Sequence, residues 1–152
     1  MSLDVRLGKQ VVSWGESTFI LGGISSVNPI DVNAFTRPGA EVKEGLLPVN
    51  LAYANFGVSD NLSVETFYQL EFQETVIPGC GTYFSINDYA PEGCEVISLN
   101  GGNASVTRDI DGKRLAKDDG QYGIALRYFS EALGNTELGL YAMNIHNRMP
   151  VV

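Results

Sequence analysis

A chain of 152 residues, 44% hydrophobic and 18% charged, is long enough for one domain with a modest core. A formal charge of −8 and the lack of any Lys/Arg cluster exclude nucleic-acid binding, and no run approaches the roughly eighteen apolar residues of a spanning helix. Mean hydropathy near zero fits a soluble domain and a transmembrane β-barrel equally, because alternation averages hydropathy away.

Five segments read as strands, all antiparallel and up-and-down. "DVRLGKQVVSW" (4–14) sets Val5 and Leu7 against Arg6, Gly8 and Gln10. "PVNLAYANF" opens a strand over 48–57 rich in small residues. "NLSVETFYQLEFQ" alternates most cleanly, with Leu62, Val64, Tyr68, Leu70 and Phe72 against Glu65, Gln69 and Glu71, in a strand expected over 62–76. "GQYGIALRYF" (120–130) places Tyr122, Ile124, Leu126 and Tyr128 opposite Gln121, Gly123, Ala125 and Arg127. "TELGLYAMNIHNR" (136–148) completes the set.

The connections alternate long and short. "GVSDN" and "SEALGN" are hairpin-type turns, whereas residues 15–47 and 77–119 form long loops of the kind that usually carry function. A transmembrane barrel has this asymmetry by construction, with short turns on one side and long loops on the other. A soluble antiparallel sandwich packs the same greasy faces on a second sheet. Eight strands is about the smallest closed membrane barrel, so five alone cannot close and an open edge cannot survive in lipid.

In the loop "PGCGTYFSINDYAPEGCEV", Cys80 and Cys94 are either a local disulfide or two free thiols, and the bridge is the expectation. A bridge would contribute roughly 2–3 kcal/mol and imply an oxidising compartment. The start "MSLDVRLGKQ" lacks a charged region followed by an apolar one, so no signal peptide is expected in it. That leaves a cytoplasmic protein or a piece of a longer exported one.

The stretches "LGKQVVSWGESTFILGGISSVNPIDVNAF", "PGAEVKEGLLPVNLAYANFGVSDNLSVETFYQLEF", "CGTYFSINDY" and "GQYGIALRYFSEALGNTELGLYAMNIHNRMP" resemble a bacterial family catalogued as domain of unknown function 1302. The likeness covers nearly the whole chain. It implies a long Gram-negative outer-membrane barrel made with a signal peptide, of which residues 1–152 are one partial barrel segment. Its gene company implies envelope export components as partners and passage of small or hydrophobic molecules. The function expected is thus a porin-like channel segment in outer-membrane lipid; the alternative is a soluble secreted β-sheet module with a ligand site in its long loops.

On that reading Arg6, Glu65, Gln69, Glu71 and Arg127 line the lumen; otherwise they form a solvated sheet face. Trp14 and Glu16 either anchor a loop that folds inward as a constriction, or Trp14 is an interfacial belt residue before a turn. Asp31 is a candidate helix N-cap, and Glu41–Leu47 a short amphipathic turn within the same candidate constriction loop. His146 is expected as a hydrogen-bonded strand residue, and "RDIDGKRLAKDDG" lacks the ligand ladder of a calcium loop, so no metal is expected.

No nucleophile elbow, phosphate loop or zinc-protease motif is present. Glu65 and Glu71 stand about 20 Å apart at ~3.3 Å per strand residue, too far for a glycosidase pair. No enzyme activity and no cofactor are expected.

Overall fold

The computed structural model describes residues 1–14, 23–85, 91, 93, 96–99, 104–107 and 114–149. Seven strands occur among them: β1 (Ser2–Gln10), β2 (Val49–Gly57), β3 (Leu62–Gln69), β4 (Val96–Leu99), β5 (Ala104–Thr107), β6 (Tyr122–Ser130) and β7 (Thr136–Asn144). Among the described residues, helix is confined to a 3-10 turn, Val32–Thr36, and one α-turn, α1 (Val42–Gly45). The chain divides into two compact units.

The first unit comprises residues 1–28, 48–73 and 117–147 and carries the sheet β1-β2-β3-β6-β7. Every neighbour is antiparallel, and the sheet is open. The fold is therefore all-β and up-and-down. At the β2–β3 turn, Val58 N–H and Ser59 N–H both donate to Leu62 O, at 2.9 and 3.2 Å. At the β6–β7 turn, Gly134 and Asn135 take φ of 72° and 60°, the left-handed region these two residue types tolerate best.

Strand ends come earlier than alternation alone predicts, because side chains take over the ladder. The first strand ends at Gln10 rather than Trp14. Asn28 then acts as a substitute backbone: its Oδ1 accepts from Val12 N–H at 2.8 Å and its Nδ2 donates to Gln10 O at 3.1 Å. The third ends at Gln69 rather than 76. Beyond it Glu71 accepts from Asn50 N–H (3.0 Å) and Asn50 Nδ2 (2.8 Å), and Phe72 N–H donates to Asp118 Oδ1 at 2.8 Å. The last ends at Asn144, so His146 lies past the strand. Its N–H points to Gln121 Oε1 at 3.4 Å and its ring meets Phe72 edge-on at 6.2 Å.

Register gives the sheet two unlike faces. One carries Leu3, Val5 and Leu7 of β1, Ala52, Ala54 and Phe56 of β2, and Leu62, Val64, Thr66 and Tyr68 of β3. It continues with Tyr122, Ile124, Leu126 and Tyr128 of β6 and Leu138, Leu140 and Ala142 of β7. It is apolar and open to solvent, with Leu7 76% and Leu140 68% exposed. The other, mixed face carries Val49, Leu51, Tyr53, Glu65, Phe67, Gln69, Gly123, Ala125, Arg127 and Tyr141. Residues of 11–14 and 23–28 pack on it, and the core of this unit lies there: Val12, Trp14, Val27, Val49, Leu51, Tyr53, Phe67 and Ala125. The sheet thus buries Glu65, Gln69 and the neighbouring Gln121 beside Leu51 and Phe67 on one face, while Leu3, Leu7, Leu138 and Leu140 stand exposed on the other.

The second unit comprises residues 29–47, 74–116 and 148–152. Asp31 caps the 3-10 turn as its sequence position suggested, accepting from Asn33 N–H at 2.9 Å. Glu41 precedes α1 without a side-chain cap and pairs with Lys43 at the surface, at 2.6 Å. Isolated bridges join Ile30 to Leu46 and Asp31 to Val76, and β4 pairs with β5 as a hairpin inside what the sequence reads as one long loop. Cys80 is disulfide-bonded, while Cys94 lies outside the described residues.

Candidate functional site

The mixed face has a covered end and a polar end, and Glu65 sits between them. Alternation on β3 points Glu65, Phe67 and Gln69 to this face together. At the covered end Gln69, fully buried, donates through Nε2 to Val27 O, and Gln10 Nε2 donates to Leu51 O at 3.0 Å. Side-chain amides therefore tie the inward segments to the sheet. Burying Gln69 and the Gln10 amide nitrogen is tolerated because each donor finds a carbonyl, while Gln10 Oε1 and Gln121 Nε2 are buried without a hydrogen-bond partner.

Trp14 is the centre of the arrangement. It lies on irregular backbone beyond β1, is 1% exposed, and meets Phe67 at 5.2 Å and Tyr141 at 5.6 Å between ring centroids. Its Nε1–H donates to Glu65 Oε2 at 3.0 Å. The other carboxylate oxygen, Oε1, accepts from Arg127 Nη1 at 2.7 Å. Arg127 also reaches Tyr141 Oη at 3.4 Å through Nε, and Glu137 at 4.0 Å. Glu65 thereby accepts from one aromatic N–H and one guanidinium, with the Tyr53 hydroxyl also coupled to it, so its charge is compensated although only 9% of its side chain is exposed.

Gly123 makes the seat possible. A Cβ there would lie 2.5 Å from the Phe67 ring and 2.8 Å from that of Trp14. Gly123→Ala is expected to destabilise the protein by about 1–3 kcal/mol through overpacking, read as a lowered denaturant midpoint at unchanged slope.

Of the residues singled out in the sequence, the structure brings Trp14, Glu65 and Arg127 together. An interfacial belt position for Trp14 does not hold, since its ring is buried on the mixed face. Arg6 stands apart, its guanidinium 4.2 Å over the Tyr53 ring and 3.3 Å from Asp4. Gln69 serves the covered end, and Glu71 anchors the start of β2 past the end of its own strand. Asp31 and Glu41 belong to the second unit. Glu16 lies outside the described residues, as do Asp109 and Asp111. Among the described residues no group of acidic, His and Cys side chains could hold a metal ion. Sequence reading gave Gly123 its face, with Arg127, but no role, and missed Tyr141 and Asn28. Parity along β7 would have put Tyr141 on the face of Glu65, but nothing local in "SSVNP" marks Asn28 as a strand mimic.

An up-and-down antiparallel sheet, apolar on its open face and mixed where it is covered by its own chain, defines an all-β protein. The chain belongs to the family described as protein of unknown function (DUF1302), whose model matches residues 1–152, the whole chain. No curated protein and no solved structure matches it.

Proposed function

We propose that this chain contributes strands to the wall of an outer-membrane β-barrel that passes small or hydrophobic molecules across the envelope. The observation that carries this reading is the facing of the sheet: a row of leucines, valines and aromatics faces outward while Glu65, Gln69 and Gln121 are buried on the other side. In water that arrangement forfeits burial of the larger apolar face; in lipid it is the required one. Tyr68 and Tyr122 stand opposite each other near one end of the apolar face, and Phe56 and Tyr128 lie toward the other, as interfacial girdles do. Both short turns lie at this second end.

Closure requires strands beyond these five, because an unpaired edge in lipid leaves a row of backbone groups unsatisfied. In the closed barrel the mixed face lines the lumen, and residues 11–14 and 23–28 narrow it. Lipid and envelope export components are the partners this reading supplies, and no catalytic step is involved. The soluble alternative needs the apolar face covered by a second sheet.

Fractionation of the intact gene product, with gel mobility before and after boiling, tests the proposal. The expected result is an outer-membrane protein whose unboiled form migrates faster. A soluble product with a single mobility overturns it.

A further inference from the structure

The seat of Trp14 has the parts of a ligand site. Phe67 and Tyr141 form aromatic walls, inclined 55° and 43° to the indole, and Gly123 supplies a floor without a side chain. Glu65 Oε2 faces the edge of the ring as an acceptor, its partner oxygen already engaged by Arg127. Whatever fills the seat must therefore be flat and must bring an N–H or O–H donor. An occupant without one removes a donor from a nearly buried carboxylate, which discriminates by about ten-fold or more. The present occupant is carried on irregular backbone past the end of β1 rather than on a ladder strand.

We propose that this seat binds a flat aromatic or fused-ring solute bearing an N–H or O–H donor, and that Trp14 is its internal occupant, displaced when such a solute arrives. The inference rests on the proposed function for solute access to this face, and deepens it by giving the class of solute. Displacement frees the Trp14 segment from Glu65, so the solute that fits the seat also loosens the narrowing. Arg127 keeps its bond to Glu65 in both states and holds the acceptor in place.

The intact protein, made with 5-fluorotryptophan, carries a reporter at Trp14, assigned by the resonance lost in Trp14→Phe. Indole and 1-methylindole, which differ at the N–H, are the probes. Trp14 lies two residues after Val12, whose N–H is fixed to Asn28, so its effective concentration at the seat is roughly millimolar or higher and a midpoint of millimolar or above is expected for indole. The Trp14 resonance should move to the solvent-exposed position at about ten-fold lower indole than 1-methylindole. Equal midpoints, or no movement with either probe, overturn the proposal. Gel mobility of the same samples is a separate readout: a faster unboiled form without displacement sinks the ligand site alone, and displacement without a mobility shift sinks the barrel alone.

Discussion

Replacing Leu140 by arginine is expected to cost about 2–4 kcal/mol, the depth-dependent penalty for a cation near mid-bilayer on a lipid-facing strand. Leu140 pairs with Leu126 on β6, which stands two residues from Tyr128 and four from Tyr122, well inside the apolar face. With this face left open to water the same change is nearly silent, within about 0.5 kcal/mol, because the side chain is 68% exposed and makes little packing to lose. The prediction thus separates the two environments by the size of one effect. Urea unfolding of the intact protein, reconstituted in vesicles, reads it directly. A loss under 0.5 kcal/mol would mean that lipid does not cover this face.

The second large effect is expected at Glu65. Glu65→Ala should lower stability by about 3 kcal/mol, toward the low end of the 3–5 kcal/mol for breaking a buried pair. The discount has a structural reason: Arg127 keeps 27% of its side chain in contact with solvent and retains Glu137 at 4.0 Å. Removing the carboxylate also strands the Trp14 N–H. Arg127→Ala in the same background should restore part of the loss, with a coupling of about 1–3 kcal/mol in the double-mutant cycle. Strict additivity of the two losses would show that the 2.7 Å contact contributes nothing.

Much of this architecture was legible before any coordinate. Period-two alternation in "NLSVETFYQ" assigned Leu62, Val64 and Tyr68 to one face and Glu65 and Gln69 to the other, and the register keeps them there. The short turns at 58–61 and 131–135 were legible for an equally local reason, since Gly134 and Asn135 carry the backbone conformation the turn requires. Asp31 was legible as a cap because its side chain needs only its own next residues. Strand ends were less so. At the strand ends Asn28 and Glu71 bond backbone 16 or more residues away in sequence, and no local pattern encodes such a partner.

Sequence by itself determined that this is an all-β chain with one greasy and one mixed strand face, because alternation is a property of neighbours along the chain. It also determined the family, which the model match over residues 1–152 establishes. Only tertiary structure decided that Trp14 turns onto the mixed face, that Glu65 joins it to Arg127 across 51 and 62 residues of chain, and that Gly123 is the floor beneath both rings. Those contacts depend on strand order and register, which place residues distant in sequence at van der Waals range. Periodicity tells which way a side chain points; it does not tell what it will meet.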